Sequence, residues 1–307
     1  MQTPARAPTR RAASLSVGAA LVAPAIAHAA RPLQLLGAGA DYGWAAFDMS
    51  TGKASSTNPD MRFPMCSSFK WLVAACVLAR VDAGQETLAR GLSFGPADLV
   101  PSSSGPAALL VASSDRPSLS LDQLCSSAVE VSDSTAANLL LRTIGGPAGL
   151  TAWLRTQGDP VTRLDRTELA LNRVGRGDAR DTTTPAAMLG NLHRILFGKT
   201  LSPSSRARLF GWMLECQTGP TRLKAGLPPS WRIAHKTGTW IPSHGHGAEE
   251  RSASGDVGVL IPPVGGPVLI AAYAAGSERP QPDIDRWFAE VARSVAAKVE
   301  SRRRAGA

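Results

Sequence analysis

The order of the hydrophobic patterns along the chain constrains its fold most. Alternating apolar residues, typical of strands, occur early, in DYGWAAFDMSTGKASSTNPDMRFPM, where a Ser-Thr-Gly turn separates two of them. Such patterns return only beyond Trp231, in WRIAHKTGTW, DVGVLIPP and PVLIAAYAAG. Strands at both ends of a chain, with helices between them, indicate a sheet domain that is assembled from the two ends.

The middle of this 307-residue chain carries mostly helical patterns. A helix is predicted from about Ser67 to Val81, and further helical stretches are STAANLLLRTIG, TPAAMLGNLHRILFG, SSRARLFGWMLECQ and the C-terminal IDRWFAEVARSVAAKVE. We therefore predict a discontinuous sheet domain, residues 30–64 and 217–300, with a helical domain, residues 65–216, inserted between its parts.

The first 29 residues have the pattern of an export signal. Arg10 and Arg11 precede a short Ala/Val/Leu stretch, and an Ala-His-Ala sequence ending at Ala29 provides a cleavage site. A membrane anchor is the alternative, but spanning needs ~20 apolar residues and Pro24 interrupts this run. We predict a cleaved Sec or twin-arginine signal, no stable membrane anchor, and a periplasmic or secreted protein.

The positive charge of the chain is concentrated at its two ends. The formal net charge of +9 falls to +6 from residue 30 onward, and Arg302, Arg303 and Arg304 account for half of that remainder. We predict that residues 301–307 form a basic, solvated tail. The residues between the predicted signal and this tail have a net charge near +3, which does not indicate a nucleic-acid partner.

Ser67 and Lys70 stand three positions apart in CSSFK, at the start of a predicted helix. Because positions i and i+3 share a helix face, Lys70 can contact the Ser67 hydroxyl. A nucleophilic serine needs a nearby base, and the free N–H groups of a first helical turn can bind the oxyanion. An N-capping serine beside a solvated lysine would leave the same short pattern, so this motif alone establishes no site.

Two further motifs follow in a fixed order. An S-D-S sequence begins at Ser132, before a predicted helix, and K-T-G-T begins at Lys236, within a strand pattern. The ordered set S-x-x-K, S-D-x and K-T-G is the signature of penicillin-binding proteins and class A β-lactamases. From about residue 38 to 300 the chain therefore resembles the serine β-lactam-reactive family. The resemblance implies an α+β fold, with an antiparallel five-stranded sheet, flanking helices, an inserted all-helical domain and the active site between them.

A third segment is similar to the omega loop of class A β-lactamases, here residues 163–181. RLDRTELALN contains Glu168 and Asn172, which match the glutamate and asparagine that hold the deacylating water in that class. Arg166 and Asp181 match the ion pair that pins the loop. The spacings agree with class A chains, with 36 residues from the S-D-S serine to this glutamate and 68 from the glutamate to the K-T-G lysine.

The resemblance implies a hydrolase of cyclic amides (EC 3.5.2.6) that acts through a serine acyl-enzyme. Ser67 attacks the lactam carbonyl, and either Lys70 or Glu168, through water, takes its proton. Ser132, helped by Lys236, protonates the departing nitrogen, and Glu168 then activates water. The oxyanion is bound by the N–H groups of the nucleophile and of the last K-T-G-T threonine. The implied substrate-binding residues are Asn172, Ser134, Thr237, Gly238, Thr239, Arg222 and Trp240.

The chain departs from the class A pattern at several of these positions. Ser134 replaces the usual asparagine of S-D-N and offers one donor instead of two, which puts substrate range in doubt. Arg222, in TGPTRLKAGLP, matches an arginine of the carboxylate subsite, although an exposed arginine is the alternative. Trp240 begins the expanded segment WIPSHGHGAEERSASG and is expected to lean over the substrate.

Four cysteines, in an oxidising compartment, allow one disulfide that sequence cannot assign. CSSFK is similar to class A carbapenemases, in which the cysteine before the nucleophile pairs with one after K-T-G-T. Trp240 occupies that second position here, so that bridge cannot form. A Cys76–Cys125 bond is not expected, because Cys76 is two residues from the matching helix position. The remaining cysteines are Cys66 and Cys216.

Two loops around the cleft are longer than usual. DLVPSSSGPAALLVASSDRPS has Ser102 where an aromatic residue commonly flanks the cleft, which should open the entrance. In the segment after K-T-G-T, the spacing of four potential ligands is compatible with a metal, but a polar hairpin tip is favoured. These four are His244, His246, Glu249 and Glu250. We expect no cofactor and no metal.

Two alternative functions stay open. A DD-peptidase-like penicillin-binding protein would acylate but deacylate poorly, and Glu168 with Asn172 argues against it. A non-hydrolysing β-lactam binder would keep the pocket, and Ser134 with the altered entrance keeps that reading open. The expected partners are β-lactam antibiotics, and a monomer is expected.

Overall fold

The structure is a computed structural model that describes residues 35–101, 105–242 and 250–305. The predicted export signal, Ser102 and three of the four potential metal ligands, from His244 to Glu249, lie outside these residues. The strands are β1 (Asp41–Asp48), β2 (Lys53–Thr57), β3 (Phe63–Pro64), β4 (Gly91–Ser93), β5 (Ser118–Ser120), β6 (Thr182–Thr183), β7 (Arg232–Trp240), β8 (Ala253–Ile261) and β9 (Val268–Ala275). The helices are α1 (Lys70–Asp82), α2 (Pro106–Ser113), α3 (Leu121–Glu130), α4 (Ser134–Thr143), α5 (Gly146–Thr156), α6 (Pro185–Leu196), α7 (Pro203–Leu214) and α8 (Gln281–Ala305).

Five strands form the main sheet, in the order β2-β1-β9-β8-β7, and every neighbouring pair is antiparallel. The prediction of an antiparallel five-stranded sheet built from both ends of the chain is therefore confirmed. Strand β9 is central, and β7, which carries the K-T-G-T sequence, is an edge strand. One side of β7 is thus free of sheet partners and can face other parts of the molecule.

Two hydrophobic cores lie on the two faces of this sheet, because successive strand side chains point to opposite sides. On β9, Leu269, Ala271 and Tyr273 join the larger core with the helices α1 and α3 to α7, whereas Ile270 and Ala272 join the smaller core beneath α8. Both faces are covered, which explains why β9 is buried at every position.

Helix α1 runs through the larger core and is buried without interruption from Lys70 to Leu78. A helix that is apolar all round must be enclosed by other elements. The prediction that this helix begins at Ser67 differs slightly from the structure, because Cys66–Phe69 form a 3₁₀ turn before Lys70. We call Cys66–Phe69 the nucleophile turn.

The prediction of a solvated basic tail fits Arg304, whose side chain is 79% exposed, but not Arg303, which is docked on the protein. Helix α8 continues to Ala305, and the Arg303 guanidinium donates to the carbonyl oxygen of Gly266 at 2.9 Å. It also donates to the carbonyl oxygen of Val264 and lies 3.6 Å from the buried Asp48 carboxylate. These acceptors hold the last helical turn on the β8–β9 connection.

The division into an inserted helical domain and a sheet domain stays a prediction. Helix α6, within the predicted helical part, packs directly on β1 and β9 of the sheet. All four cysteines are buried free thiols, so neither a Cys76–Cys125 bond nor any other pairing among the four is formed. In the three described stretches, no helix combines the length and the apolar composition needed to cross a membrane.

Candidate active site

The nucleophile turn places Ser67 between the N-terminal end of α1 and the edge strand β7. Ser67 is half-buried, whereas its neighbours Cys66 and Ser68 are fully buried. The Ser67 hydroxyl donates to Glu168 Oε1 at 3.2 Å, across 101 residues of sequence. The turn thus presents one hydroxyl, already hydrogen-bonded to a carboxylate, at the edge of the sheet.

Lys70 lies one turn further along and is completely buried. Its Nζ is 3.0 Å from Glu168 Oε1 and donates to the Ser132 carbonyl oxygen at 2.7 Å and to Ser134 Oγ at 3.0 Å. The sequence predicts a direct contact between Lys70 and Ser67, but among the described residues Lys70 makes no hydrogen bond to that hydroxyl. The two side chains meet instead at one carboxylate oxygen.

Ser132 stands between two ammonium groups. Lys236 Nζ donates to Ser132 Oγ at 3.0 Å, and Lys70 Nζ donates to the same oxygen at 3.3 Å. A hydroxyl has two acceptor positions and one proton. With both acceptor positions used by lysines, the Ser132 proton is free for a third group in the cleft.

Lys236 is fully buried on β7, and its Nζ also donates to the carbonyl oxygen of Thr237 at 2.9 Å. Burial, together with the nearby charge of Lys70, lowers the pKa of Lys236 to about 8. This ammonium therefore titrates close to the pH at which the protein would be assayed.

Glu168 is a buried carboxylate that three side chains hold in place. Besides Ser67 and Lys70 at Oε1, Asn172 Nδ2 donates to Oε2 at 2.9 Å. Burial acts to raise the pKa of Glu168, but the Lys70 charge and these hydrogen bonds outweigh it and keep the pKa below its ordinary value. Glu168 is thus an ionised hydrogen-bond acceptor at neutral pH.

The loop that carries Glu168 is pinned at its base. The Asp181 carboxylate is inaccessible to solvent and accepts from Arg166 Nε at 2.6 Å. It also accepts from the backbone N–H groups of Asp165 at 2.7 Å and Arg166 at 2.9 Å. The Arg166–Asp181 pair that the resemblance implies is formed, and it closes the two ends of the loop on each other.

Arg222 lies beneath the K-T-G-T strand and is only 4% exposed, so the alternative of an exposed arginine is wrong. Its guanidinium donates to Thr239 Oγ1 at 2.7 Å, to the Gly238 carbonyl oxygen at 2.8 Å and to Asp285 Oδ1 at 2.9 Å. Arg222 thus fixes the end of β7 while its own charge is paired with Asp285, and Lys236 is the buried cation on the strand that is suited to an anionic group.

The rim of the site departs more from the sequence predictions than its interior does. Trp240 is half-buried and packs against the larger core, and its indole N–H has no partner among the described residues. Ile241, next to it, is 61% exposed.

Of the potential metal ligands, only Glu250 is described, and it lies 3.7 Å from Arg173 Nε. No cluster of three His, Cys, Asp or Glu side chains suited to a metal occurs within the described part of the chain.

Sequence reasoning missed two residues of this site. Asn138 brackets Glu168, because its Nδ2 donates to the Glu168 carbonyl oxygen and its Oδ1 accepts from the Glu168 N–H, both at 3.0 Å. Its position one helical turn after Ser134 was the available signal. Thr218, whose Oγ1 is 2.6 Å from Thr237 Oγ1, had no sequence signal, since the two meet only through the packing of β7.

The chain is similar to known proteins in both sequence and fold. The sequence model of the β-lactamase enzyme family matches residues 29–299. Among solved structures, an ancestral class A β-lactamase, GNCA, is 45% identical with a TM-score of 0.78, and the match covers 85% of this chain and 95% of that one.

Two further structures are similar to the same extent. The last common ancestor of Gram-negative bacteria class A β-lactamase, GNCA4, is 46% identical with a TM-score of 0.78, over 85% of this chain and 94% of that one. A protein from Rhodopseudomonas palustris, assigned as the class A β-lactamase PenP, is 42% identical with a TM-score of 0.78, over 86% and 97% of the two chains.

Proposed function

The chain belongs to the class A β-lactamases, serine hydrolases of the β-lactam amide, and we propose that Ser67 forms the acyl-enzyme and Glu168 activates the water that breaks it. One observation carries this assignment of roles. Glu168 Oε1 lies 3.2 Å from Ser67 Oγ and 3.0 Å from Lys70 Nζ. An ionised acceptor within hydrogen-bond distance of a hydroxyl is the arrangement that general-base catalysis requires.

In the acylation step, Ser67 Oγ attacks the lactam carbonyl carbon while its proton passes to Glu168 Oε1. The hydrogen bonds support this direction, because the Lys70 Nζ protons are directed at Ser132, Ser134 and Glu168. An ammonium group whose protons are all donated has no lone pair with which to act as a base. Lys70 instead stabilises the carboxylate before transfer and can return the proton afterwards.

The carbon–nitrogen bond then breaks, and the nitrogen takes the proton of Ser132. Ser132 is replenished from one of its two ammonium neighbours, Lys236 at 3.0 Å or Lys70 at 3.3 Å. If Lys70 supplies it, the proton that Glu168 received from Ser67 returns to Lys70, and Glu168 is again a carboxylate. The step is balanced without an external acid or base.

The developing oxyanion is held by two backbone N–H groups, those of Ser67 and Thr239. Ser67 lies in the first turn before α1, where N–H groups lack intrahelical partners. Thr239 lies on the edge strand β7, which packs against the nucleophile turn. Donors that are oriented in advance at a developing charge are commonly a large part of the rate enhancement.

In the deacylation step, Glu168 takes a proton from a water molecule while the water oxygen attacks the ester carbonyl carbon. Asn172 holds Oε2 at 2.9 Å and so keeps the carboxylate oriented toward Ser67. The ester bond to Ser67 breaks, the serine oxygen takes the proton that Glu168 received from water, and the opened β-lactam leaves as an amino acid derivative.

The substrate carboxylate binds at the end of β7. Lys236, Thr237 and Thr239 provide an ammonium group and two hydroxyls, and Arg222, which is ion-paired with Asp285, orients the Thr239 hydroxyl. Gly238 keeps this strand close to the nucleophile turn, and Trp240 bounds the subsite at the rim. A charge-assisted bond to Lys236, together with the two hydroxyls, orients the substrate carboxylate.

Ser134 Oγ accepts a hydrogen bond from Lys70 Nζ at 3.0 Å, which leaves its own proton free to donate to the side-chain carbonyl of the substrate. This replaces one of the two functions of the usual amide.

We further propose that the protein is exported by its N-terminal signal, acts as a monomer without a membrane anchor, and contributes to antibiotic resistance.

The test is the turnover of a chromogenic cephalosporin by the purified protein and by Glu168→Ala. We expect rapid turnover by the parent protein. In Glu168→Ala we expect slower acylation, because the proposed acylation base is lost, and a still larger loss of deacylation, so that an acyl-enzyme accumulates and is visible by intact mass spectrometry. Glu278→Ala, which removes an exposed glutamate between β9 and α8, is the matched control. Unchanged steady-state hydrolysis in Glu168→Ala would refute the role of this residue. A single stoichiometric burst by the parent protein would indicate a penicillin-binding protein or a non-hydrolysing binder instead.

A further inference from the structure

A buried hydrogen-bond chain joins the nucleophile turn to the centre of the sheet. The Tyr273 hydroxyl on β9 is 3.2 Å from Ser68 Oγ, and Ser68 Oγ donates to the Met65 carbonyl oxygen at 2.7 Å. Because the single Ser68 proton is used in that second bond, Tyr273 is the donor in the first. The reaction steps described above use neither side chain.

The nucleophile turn has a backbone that needs such support. Cys66, directly before the nucleophile, has a φ of 44°, in the left-handed region that residues with a side chain rarely adopt. Strain of this kind persists only where the surrounding structure imposes it. The carbonyl oxygen of Met65, directly before the turn, accepts hydrogen bonds from the Ser68 N–H at 3.0 Å and from the Ser68 hydroxyl at 2.7 Å. Ser68 therefore closes the turn through both its backbone and its side chain.

Two glycines on neighbouring strands make room for this arrangement. A Cβ atom on Gly238 would lie 2.5 Å from the Met65 carbonyl oxygen and 2.9 Å from the Ser68 nitrogen. A Cβ atom on Gly255 would lie 2.6 Å from the Tyr273 ring. The turn therefore rests directly on the backbone of β7, with the Tyr273 ring passing close to β8.

This close contact lies between the two proposed oxyanion donors. Ser68 follows Ser67 in the turn, and Gly238 precedes Thr239 on β7. Any shift of the turn relative to β7 therefore changes the distance between the N–H groups of Ser67 and Thr239. A misplacement of about 1 Å can cost on the order of a hundredfold in rate.

We propose that Tyr273 and Ser68 are positioning residues, which hold the nucleophile turn against β7 and so set the separation of the two oxyanion donors. This inference depends on the proposed roles of Ser67 and Thr239. Burial raises the pKa of Tyr273, so its hydroxyl remains a donor over the whole assay range. The ring itself is held separately, stacked on Phe63 with centroids 5.9 Å apart. Removal of the hydroxyl alone should therefore leave the core packing in place.

The first test compares Tyr273→Phe with Tyr42→Phe, which removes the hydroxyl of the only other tyrosine. Tyr42 lies on β1, with its ring edge-on to Trp287 at 6.1 Å, outside the site. For Tyr273→Phe we expect kcat to fall about tenfold, with KM within about twofold, because oxyanion donors act mainly in the transition state. The pH profile should keep its shape, since Glu168 and Lys236 are unchanged. Equal kcat values for the two variants would overturn the proposal.

A double-mutant cycle tests whether the two residues act as one unit. Ser68→Ala should lower kcat at least as much as Tyr273→Phe, and the double variant should lose no more than Ser68→Ala alone. Losses that multiply in the double variant would overturn the proposal. If Tyr273→Phe does not fold, a kcat for Ser68→Ala within twofold of the parent, at an unchanged KM, has the same consequence. If the parent itself shows only a burst, the rate of acylation by mass spectrometry replaces kcat, so failure of the proposed function and failure of this inference remain distinguishable.

Discussion

The two halves of the active site are held in place by different forces. The site floor, which consists of Lys70, Ser132 and Lys236, stands on α1, the residues before α4, and β7, and Lys70 and Lys236 are completely buried among core residues. The omega loop, residues 163–181, has one 3₁₀ turn at Ala170–Asn172 as its only regular element among the described residues.

Glu168 owes its position in that loop to polar contacts. Asn138 holds its backbone, Asn172 its carboxylate, and Asp181 the base of the loop. Arg62 adds a hydrogen bond to the Val161 carbonyl oxygen at 3.1 Å, just before the loop. The floor is thus held by packing and the loop by hydrogen bonds. In the proposed mechanism the floor acts in acylation, whereas Glu168 of the loop acts in both steps and is the only base for deacylation. Mutations that loosen the loop should therefore slow deacylation more than acylation.

The largest effect is expected from Lys70→Ala, which removes one of the three side chains that form the site floor. It removes the only ammonium group near Glu168 Oε1 among the described residues and one of the two donors to Ser132. We expect the acylation rate, measured by single-turnover mass spectrometry, to fall by about 10³-fold or more. The exposed Lys199→Ala is the control. An acylation rate within tenfold of the parent value would show that the floor does not need this charge.

A smaller and selective effect is expected from Asp181→Asn, which loosens the loop. The variant loses the charge that pairs with Arg166, while α1 and β7 are untouched. We expect deacylation to slow by about 10 to 100-fold and acyl-enzyme to accumulate, with acylation within about fivefold.

Asp178→Asn is the matched control for this change. It breaks the more exposed Asp178–Arg180 pair on the same loop, and surface pairs contribute only about 0–1 kcal/mol. If Asp181→Asn slowed acylation and deacylation equally, the separation between floor and loop would be wrong.

The smallest effect is expected in the pH dependence of kcat/KM, which tests the charge of Lys236 in the site floor. The lowered pKa of Lys236, about 8, means that its ammonium fraction falls as the pH rises through that value. Since the substrate carboxylate needs the charged form, kcat/KM should decline on the alkaline side, approaching about tenfold per pH unit well above pH 8.

Lys236→Arg checks this assignment, because a guanidinium stays charged over the whole range. Its kcat/KM should start lower, given the tight burial of this position, but the alkaline decline should disappear. An unchanged alkaline decline in Lys236→Arg would place the titrating group elsewhere.

Most of the fold and the membership of the site could be predicted from sequence. The strands around Trp44 and Lys236 and the helix after Ser67 were predicted, because apolar periodicity and turn residues are local properties. The motif residues converge as expected, since each has a fixed place relative to a strand or helix end. Asn138 was missed because its position one turn after Ser134 does not show that it binds the backbone of a loop residue 30 positions away.

The sequence by itself determined the chemical groups, their order and the elements that carry them. Only the tertiary structure decided their partners, because contacts between residues about a hundred positions apart depend on how layers pack. Packing brings Ser67 and Lys70 to one oxygen of Glu168 rather than to each other, and folds Arg303 onto the β8–β9 connection. It also places the Tyr273 hydroxyl under the nucleophile turn, where a local pattern cannot reveal it.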